Sequence, residues 1–167
     1  MKTALLASSI LFLSFAAAQA ESLTRDFVDA KGEKVGTLTI EKMAHGTLFT
    51  IDANLPEGGH AMHLHAVGKC EGPDFKSSGG HFNPHGHEHG KDNAKGFHAG
   101  DLPNLYVEPT GHIKAELFSS QLTLDGKDSL LDKDGSAIII HAKLDDYSTD
   151  PTGGAGDRIA CAAITAK

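Results

Sequence analysis

Apolar and polar residues alternate with a period of two along several short stretches of this chain, which restricts the folds open to it. Every second residue is apolar from Phe49 to Leu55 and from Ile113 to Leu117, and Leu38 and Ile40 lie between polar residues in the same way. Successive side chains of a β-strand point to opposite faces, so these stretches predict half-buried strands. Turn sequences with Gly or Pro separate them, at 31–33, 56–59, 109–111 and 132–135. The pattern predicts an all-β domain, an antiparallel sandwich or barrel.

Two long segments do not follow this alternation. Residues 68–104 are rich in Gly, Pro, His and polar residues, and residues 142–157 are similar. Loops of this length in a compact domain are usually functional or disordered. Seven of the 11 histidines lie between His60 and His89, most of them in the first segment. We therefore expect a functional loop that metal ions order.

Length and charge restrict the function further. The 167 residues suffice for one domain with a hydrophobic core. Acidic residues outnumber basic ones by 22 to 15, for a formal net charge of −7, and no basic stripe is present. We therefore expect no nucleic-acid partner.

The first twenty residues have the composition of a secretory signal peptide. Lys2 supplies a short positive segment, residues 4–18 form an apolar run, and Ala18-Gln19-Ala20 is typical of a cleavage site. A membrane anchor is the alternative, which the short apolar run disfavours. We expect residues 1–20 to be a signal peptide and residues 21–167 to form one exported domain, periplasmic or secreted, with no membrane association once the signal is removed.

The chain has two cysteines, Cys70 and Cys161. In an oxidising compartment an even number favours a disulfide, with two buried free thiols as the alternative. A Cys70–Cys161 bridge would tie the first long loop to the final strand. For a closed loop of about ninety residues, the chain-entropy model predicts roughly 4–5 kcal/mol of stabilisation.

Residues suited to metal binding form two groups. His63 and His65 are two apart, so on a strand both imidazoles would face one side and could hold one ion. The second group lies in the first long loop and comprises His81, His85, His87, His89, His98 and Asp101. Imidazoles with one carboxylate suit tetrahedral zinc, and an all-imidazole set suits copper. A solvated histidine-rich loop that binds metals loosely is the alternative.

Two single residues later in the chain have similar potential. His141 follows the apolar run 137–140, and a polar ring at the end of a buried strand needs a partner. It is either a hydrogen-bonded core histidine or a further metal ligand. Arg158 lies three residues before Cys161, where a fixed guanidinium would bind an anion. A surface arginine is the alternative.

These residues occur within motifs that resemble the copper/zinc superoxide dismutases. The resembling segments are, in chain order, 59–65 (GHAMHLH) with Gly68 and Cys70, 79–84 (GGHFNP), 89–90 (HG), 98–102 (HAGDL), 138–141 (IIIH), Asp145, and 153–161 (GGAGDRIAC). They follow the family's order from about Thr37 to Lys167.

The resemblance implies a fold and an activity. The fold would be a Greek-key β-barrel or sandwich of about eight antiparallel strands with two long active-site loops. The activity would be dismutation of superoxide anion to dioxygen and hydrogen peroxide, by a redox-cycling copper that a histidine bridges to a structural zinc. Each chain would hold one copper ion and one zinc ion and would protect an extracytoplasmic compartment from superoxide.

The resemblance also implies residue roles. The expected copper ligands are His63, His65, His81 and His141. The expected zinc ligands are His81, His89, His98 and Asp101, with the ring of His81 shared by both ions and able to pass on a proton. Asp145 would link a copper histidine to a zinc histidine and fix their rings. Arg158 would guide and hold superoxide, and Cys70 and Cys161 would form the disulfide.

His85 and His87 depart from the family pattern, because they are additional histidines beside the expected zinc ligand. His87 competes with His89 for that place, and Gly90 after His89 favours His89. The extra pair is either solvated or helps to recruit metal. The segment 145–151 resembles bacterial periplasmic members more than animal cytosolic ones, so the resemblance leaves both a monomer and a homodimer open.

Three other functions agree with parts of the sequence. A metal carrier or copper chaperone on the same fold would be favoured if a copper ligand or Arg158 were missing, and all are present. A zinc hydrolase would need an open zinc position, whereas the expected zinc set already has four ligands. A structural histidine-rich adhesion module does not account for Arg158 or Asp145.

Overall fold

A computed structural model describes residues 22–166, which form nine β-strands and one short 3-10 turn, Lys76–Ser78. The strands are β1 (Ser22–Asp29), β2 (Lys34–Met43), β3 (Gly46–Asn54), β4 (Gly58–His60), β5 (Met62–His65), β6 (Leu105–Val107), β7 (His112–Ser119), β8 (Ser136–His141) and β9 (Arg158–Ile164). The predicted signal peptide, residues 1–20, lies outside the described residues. Within residues 22–166, no helix is long and apolar enough to cross a membrane.

Seven strands form one antiparallel sheet in the order β5-β8-β9-β1-β2-β3-β7, and β4 pairs with β6 separately. β1 to β3 are joined by short turns, whereas β8 and β9 enter between β5 and β1, as in a Greek key. The predicted antiparallel Greek-key fold is confirmed. The described residues contain nine strands, and about eight were expected. Two of the nine, β4 and β6, have only three residues each.

The core lies on one face of this sheet. Leu38 and Ile40 of β2 and Phe49 and Ile51 of β3 are fully buried, while the residues between them are only partly covered. The two strands pair Leu38 with Ile51 and Ile40 with Phe49, so the apolar side chains meet across the strands. The alternation in the sequence therefore corresponds to one buried and one wet face.

β8 is different, because all six of its residues are buried. Ile138 and Ile140 belong to the main core. Ala137 and Ile139 point to the opposite face, where they pack against Phe75 of the first long loop and Cys161 of β9. The long loop thus covers the outer face of β8, which is why this strand is continuously apolar.

The predicted disulfide is present and holds that loop in place. Cys70 and Cys161 are bonded, with their Cα atoms 5.7 Å apart and a separation of 91 positions in the chain. Since Cys161 is in β9, the bond attaches the start of the first long loop to the centre of the sheet.

Candidate metal centre

The first long loop completes the free edge of β5. The amide of Leu64 donates to the carbonyl of Gly100 at 2.9 Å, and the amide of Phe82 donates to the carbonyl of Leu64 at 2.7 Å. A Cβ at Gly100 would collide with the Leu64 carbonyl, so this close approach requires glycine. The loop therefore brings its own histidines against those of β5.

Four histidines converge beside β5, and we call His63, His65, His81 and His141 the four-histidine set. His63 and His65 are two apart on β5 and share its outer face, and His141 ends the neighbouring strand β8. The loop supplies His81, whose backbone forms an isolated antiparallel β-bridge with that of His65. One ring nitrogen from each histidine lies within 4.8 Å of those of the others.

Each ring in this set has one nitrogen anchored and one free. The anchored nitrogens contact Asp145 Oδ2 (from His63, 2.8 Å), the Gly79 carbonyl (from His65, 2.9 Å), Asp101 Oδ1 (from His81, 2.9 Å) and the Gly156 carbonyl (from His141, 3.2 Å). Nδ1 of His63 and Nε2 of the other three are buried and have no hydrogen-bond partner among residues 22–166. Buried polar atoms are rarely left unpaired, so four imidazole nitrogens that lie this close together form a set suited to binding a cation.

Burial also keeps these rings neutral. It lowers the pKa of His65 to about 2, of His141 to about 3 and of His81 to about 4, and it lowers the pKa of His63 as well. Neighbouring imidazoles add to the effect at His65, His81 and His141. The free nitrogens therefore present lone pairs, which is the form that binds a metal ion.

A second set shares His81 and includes a carboxylate. We call His81, His89, His98 and Asp101 the mixed set. Asp101 Oδ1 lies 2.9 Å from His81 Nδ1 and 3.1 Å from both His89 Nδ1 and His98 Nδ1, and His81 Nδ1 lies 3.2 Å from His98 Nδ1. With zinc–nitrogen bonds of 2.0–2.1 Å, the edge of a zinc tetrahedron is about 3.3 Å. These spacings fit a tetrahedral zinc ion.

Asp101 is held as an anion that faces the three rings. Its Oδ2 accepts hydrogen bonds from the amides of Gly90 and His98, each at 3.0 Å, which leaves Oδ1 for the rings. Burial alone would raise the pKa of Asp101, but its hydrogen bonds with His81, His89 and Gly90 hold that pKa well below the usual range. The mixed set thus has three imidazoles and one charged oxygen.

Asp145 connects the two sets. Its Oδ2 contacts His63 Nε2 at 2.8 Å, and its Oδ1 contacts His89 Nε2 at 3.0 Å. Burial opposes ionisation of Asp145, but the hydrogen bonds from His63, His89 and the Tyr147 amide keep its pKa low. The two carboxylates Asp101 and Asp145 outweigh burial at His89 and raise its pKa to about 9.

Two residues that the sequence did not single out support Asp145. The Asn104 side chain accepts from the Asp145 amide at 2.9 Å and donates to the Asp145 carbonyl at 3.0 Å. The amide of Asn104 in turn donates to the Tyr147 hydroxyl at 2.8 Å. Asn104 therefore joins the two long loops behind the metal centre. No motif in the sequence indicates this contact.

Arg158 lies opposite His141 in the β8–β9 pair. Its guanidinium donates to the carbonyls of Phe75 and Gly79 and to Ser78 Oγ, at 2.8 to 3.0 Å. The Gly79 carbonyl also accepts from His65, so Arg158 and the four-histidine set share one anchor. Arg158 lines a surface cleft of about 520 Å³ together with Lys76, Asp74 and Asp157.

The remaining histidines lie outside both sets. His89, rather than His87, reaches the mixed set, while His85 and His87 are exposed. His60 is buried between the carbonyl oxygens of His141 and Pro56, at 2.7 and 2.8 Å. Both of its ring nitrogens are thus engaged by the backbone, which makes it a structural residue.

Comparison with known proteins agrees with this geometry. Residues 34–164 match the family model for copper/zinc superoxide dismutase. The superoxide dismutase [Cu-Zn] 1 of Aquifex aeolicus is 42% identical over 160 residues, which cover 93% of this chain and 94% of that protein. A superoxide dismutase-like protein from Bacillus subtilis gives a TM-score of 0.81 at 41% identity, over 84% of this chain and 97% of that one. The Cu/Zn superoxide dismutase of Brucella abortus gives 0.70 at 28% identity, over 86% and 99%.

Proposed function

Because this chain belongs to the copper/zinc superoxide dismutase family, we propose that its two joined histidine sets are the catalytic metal centre of an exported enzyme. The enzyme converts two superoxide anions and two protons into one dioxygen and one hydrogen peroxide. Its cofactors are copper and zinc. The four-histidine set would hold copper, and the mixed set would hold zinc.

One observation carries this assignment: the ring of His81 belongs to both sets. Its Nδ1 contacts Asp101 Oδ1 at 2.9 Å, while its Nε2 is one of the four buried nitrogens without a partner in the described residues. A single imidazole that faces two ligand sets supports a centre in which two cations share one ring.

The residues divide the work of the reaction. Copper, when bound, supplies the one-electron redox chemistry, and zinc fixes and polarises the shared ring. Nε2 of His81 is the atom that would hold a proton in the interval between the reactions of the first and the second superoxide anion. Its Nδ1 faces the mixed set and is not free for this role. Arg158 would bind the anion, because its guanidinium stays charged and is held rigidly by three acceptors. Asp145 would fix the orientation of His63 and His89.

We further propose that residues 1–20 direct export and that residues 21–167 are the mature domain, in the periplasm or secreted. The disulfide supports an oxidising compartment. The negative net charge argues against nucleic acid as a partner. Once the signal is removed, we expect no membrane association.

The test is metal analysis of the mature protein together with a superoxide consumption assay. We expect one copper and one zinc per chain with fast turnover. His141→Ala should lose copper and activity but keep zinc, because only the four-histidine set loses a ligand. His112→Ala, at an exposed histidine of β7, is the matched control and should behave as wild type. Full copper and activity in His141→Ala would contradict the assignment.

A further inference from the structure

Two histidines on the first long loop have no part in the proposed reaction. His85 and His87 are both exposed, while His81 and His89, on either side of them, belong to the metal centre. The pair therefore lies at the surface of the segment that joins the shared ligand to a zinc ligand.

The two exposed rings are as close as metal ligands are. Their centroids are 5.7 Å apart. Within each of the two sets, the histidine pairs whose rings are in contact have centroids between 4.1 Å (His63–His81) and 5.9 Å (His65–His141) apart. The spacing of His85 and His87 falls inside that range, so both rings can reach one ion.

The loop also fixes one of the two rings. His87 Nδ1 donates to the Phe97 carbonyl at 3.0 Å, which leaves Nε2 as the lone-pair nitrogen. The ring also lies against Gly96, where an added Cβ would approach it to 3.0 Å. A hydrogen bond from one ring nitrogen to a carbonyl is the usual support of a metal-binding histidine.

Asn83 fixes the turn that carries the pair. Its Oδ1 accepts from the His87 amide at 3.0 Å, and its Nδ2 donates to the His87 carbonyl at 2.8 Å. Glu88, the nearest carboxylate in the sequence, is engaged elsewhere, with Lys95 at 2.6 Å and Asn93 at 3.2 Å. The turn therefore exposes the imidazoles of His85 and His87 to solvent, on a backbone that the Asn83 side chain holds in place.

We infer that His85 and His87 form a third metal site, which binds a divalent transition-metal ion reversibly at the surface. Imidazole nitrogens suit copper and zinc, and Cu²⁺ binds such a site most tightly among the first-row divalent ions. Two protein ligands leave the other positions of the ion to water, so the ion exchanges freely. This inference concerns binding alone and does not depend on the proposed reaction.

The experiment titrates the holoenzyme, already loaded with one copper and one zinc, with Cu²⁺ in a buffer that does not bind metals. Equilibrium dialysis should show one further Cu²⁺ per chain, with electron paramagnetic resonance showing nitrogen ligands. His85→Ala and His87→Ala should each weaken this binding about 100-fold, since two linked ligands bind far more tightly than one. Zinc content is followed in parallel.

His45→Ala is the matched control, because His45 is an exposed histidine in the turn between β2 and β3. It should keep the additional Cu²⁺ with unchanged affinity. Equal uptake by all four proteins would overturn the inference, as would the absence of a further equivalent in wild type. Uptake matched by zinc release would also overturn it, because the copper would then occupy the mixed set.

Discussion

At the scale of single residues, each ring of the four-histidine set is held by a hydrogen-bond acceptor that contacts one of its two nitrogens. Two of these acceptors are carboxylates, and two are backbone carbonyls, those of Gly79 and Gly156. Since each ring of the four-histidine set is neutral and has one nitrogen engaged, its other nitrogen is left available to a metal ion. The same principle extends to Arg158, which shares the Gly79 carbonyl with His65.

Arg158→Ala should lower the rate of superoxide consumption about ten- to a hundredfold without changing copper or zinc content, because a local cation is lost but no ligand. Arg158→Lys keeps the charge and should recover part of the rate, although it loses the rigid fork. Steady-state kinetics with metal analysis on each protein checks this. Loss of metal in Arg158→Ala would mean that the residue supports the ligands rather than the substrate.

Asn104→Ala should weaken zinc binding about tenfold or more, because Asp145 loses both hydrogen bonds that fix its backbone. Zinc release to a chelator measures the effect. Asn54→Ala, at the exposed end of β3, is the control and should release zinc like wild type. Equal release from both variants would show that Asp145 keeps its position without Asn104.

The types and spacings of the histidines and of Asp101 indicated metal binding, whereas the two ligand sets and the role of Asp145 followed from the resemblance to a known family. The sequence could not predict Asn104, Tyr147 or the Gly79 carbonyl. Asn104 and Asp145 are 41 residues apart, and their contact uses backbone atoms on one side. Backbone atoms are the same in every residue, so such a contact leaves no signature in the sequence.

At the scale of elements, the long strands were visible in advance and the short ones were not. β2, β3 and β7 have eight or more residues each, enough to contain stretches of alternating apolar and polar residues. β4 and β6 have three residues each, too few to show a period. β1 was also missed, because Phe27 is its only fully buried residue and the rest is mostly polar.

The disulfide is a covalent link between the first long loop and the sheet. Cys70→Ala/Cys161→Ala should lower the free energy of unfolding by about 4 kcal/mol, since the bond closes a long loop. Urea denaturation of the metal-free protein, compared with oxidised wild type, measures this. Wild type treated with a reductant provides the control for the substitutions and should lose a similar amount. A loss below about 1 kcal/mol in both would show that loop packing suffices without the bond.

At the scale of the whole molecule, two fields of opposite sign act on the substrate. The formal net charge of −7 repels an anion, whereas Arg158 is a local cation in a cleft that Lys76, Asp74 and Asp157 also line. Asp74 pairs with Lys76 at 2.6 Å, so Arg158 is the main cation there. The response to salt shows which field dominates, since salt shortens the range of both.

If the local field dominates, the second-order rate constant should fall as ionic strength rises from about 0.01 M to 1 M, where the screening length drops from roughly 30 Å to 3 Å. Pulse radiolysis at a series of salt concentrations measures it. Arg158→Ala should show a flatter dependence. A rate that rises with salt would mean that the net negative charge controls capture.

The metal-free protein should be most stable near pH 6.5. Below this pH the unfolded chain protonates His65, His81 and His141, whose pKa values in the fold are only about 2, 4 and 3. Each such proton removes about 1.4 kcal/mol per pH unit down to roughly pH 4. Above it, the stabilisation from His89, with a pKa of about 9, is lost as that ring deprotonates. Urea unfolding between pH 4 and 9 checks this, and a flat profile would contradict it.

The shared Gly79 carbonyl has a consequence for the order of maturation. It lies on the loop that the Cys70–Cys161 bond fastens to β9, and it orients both His65 and Arg158. A chain whose thiols are still reduced lacks that bond, so His65 and Arg158 would lose the support of their shared acceptor together. Oxidation should therefore precede stable copper capture, and a newly made chain would stay inactive until it reached surroundings that oxidise its thiols.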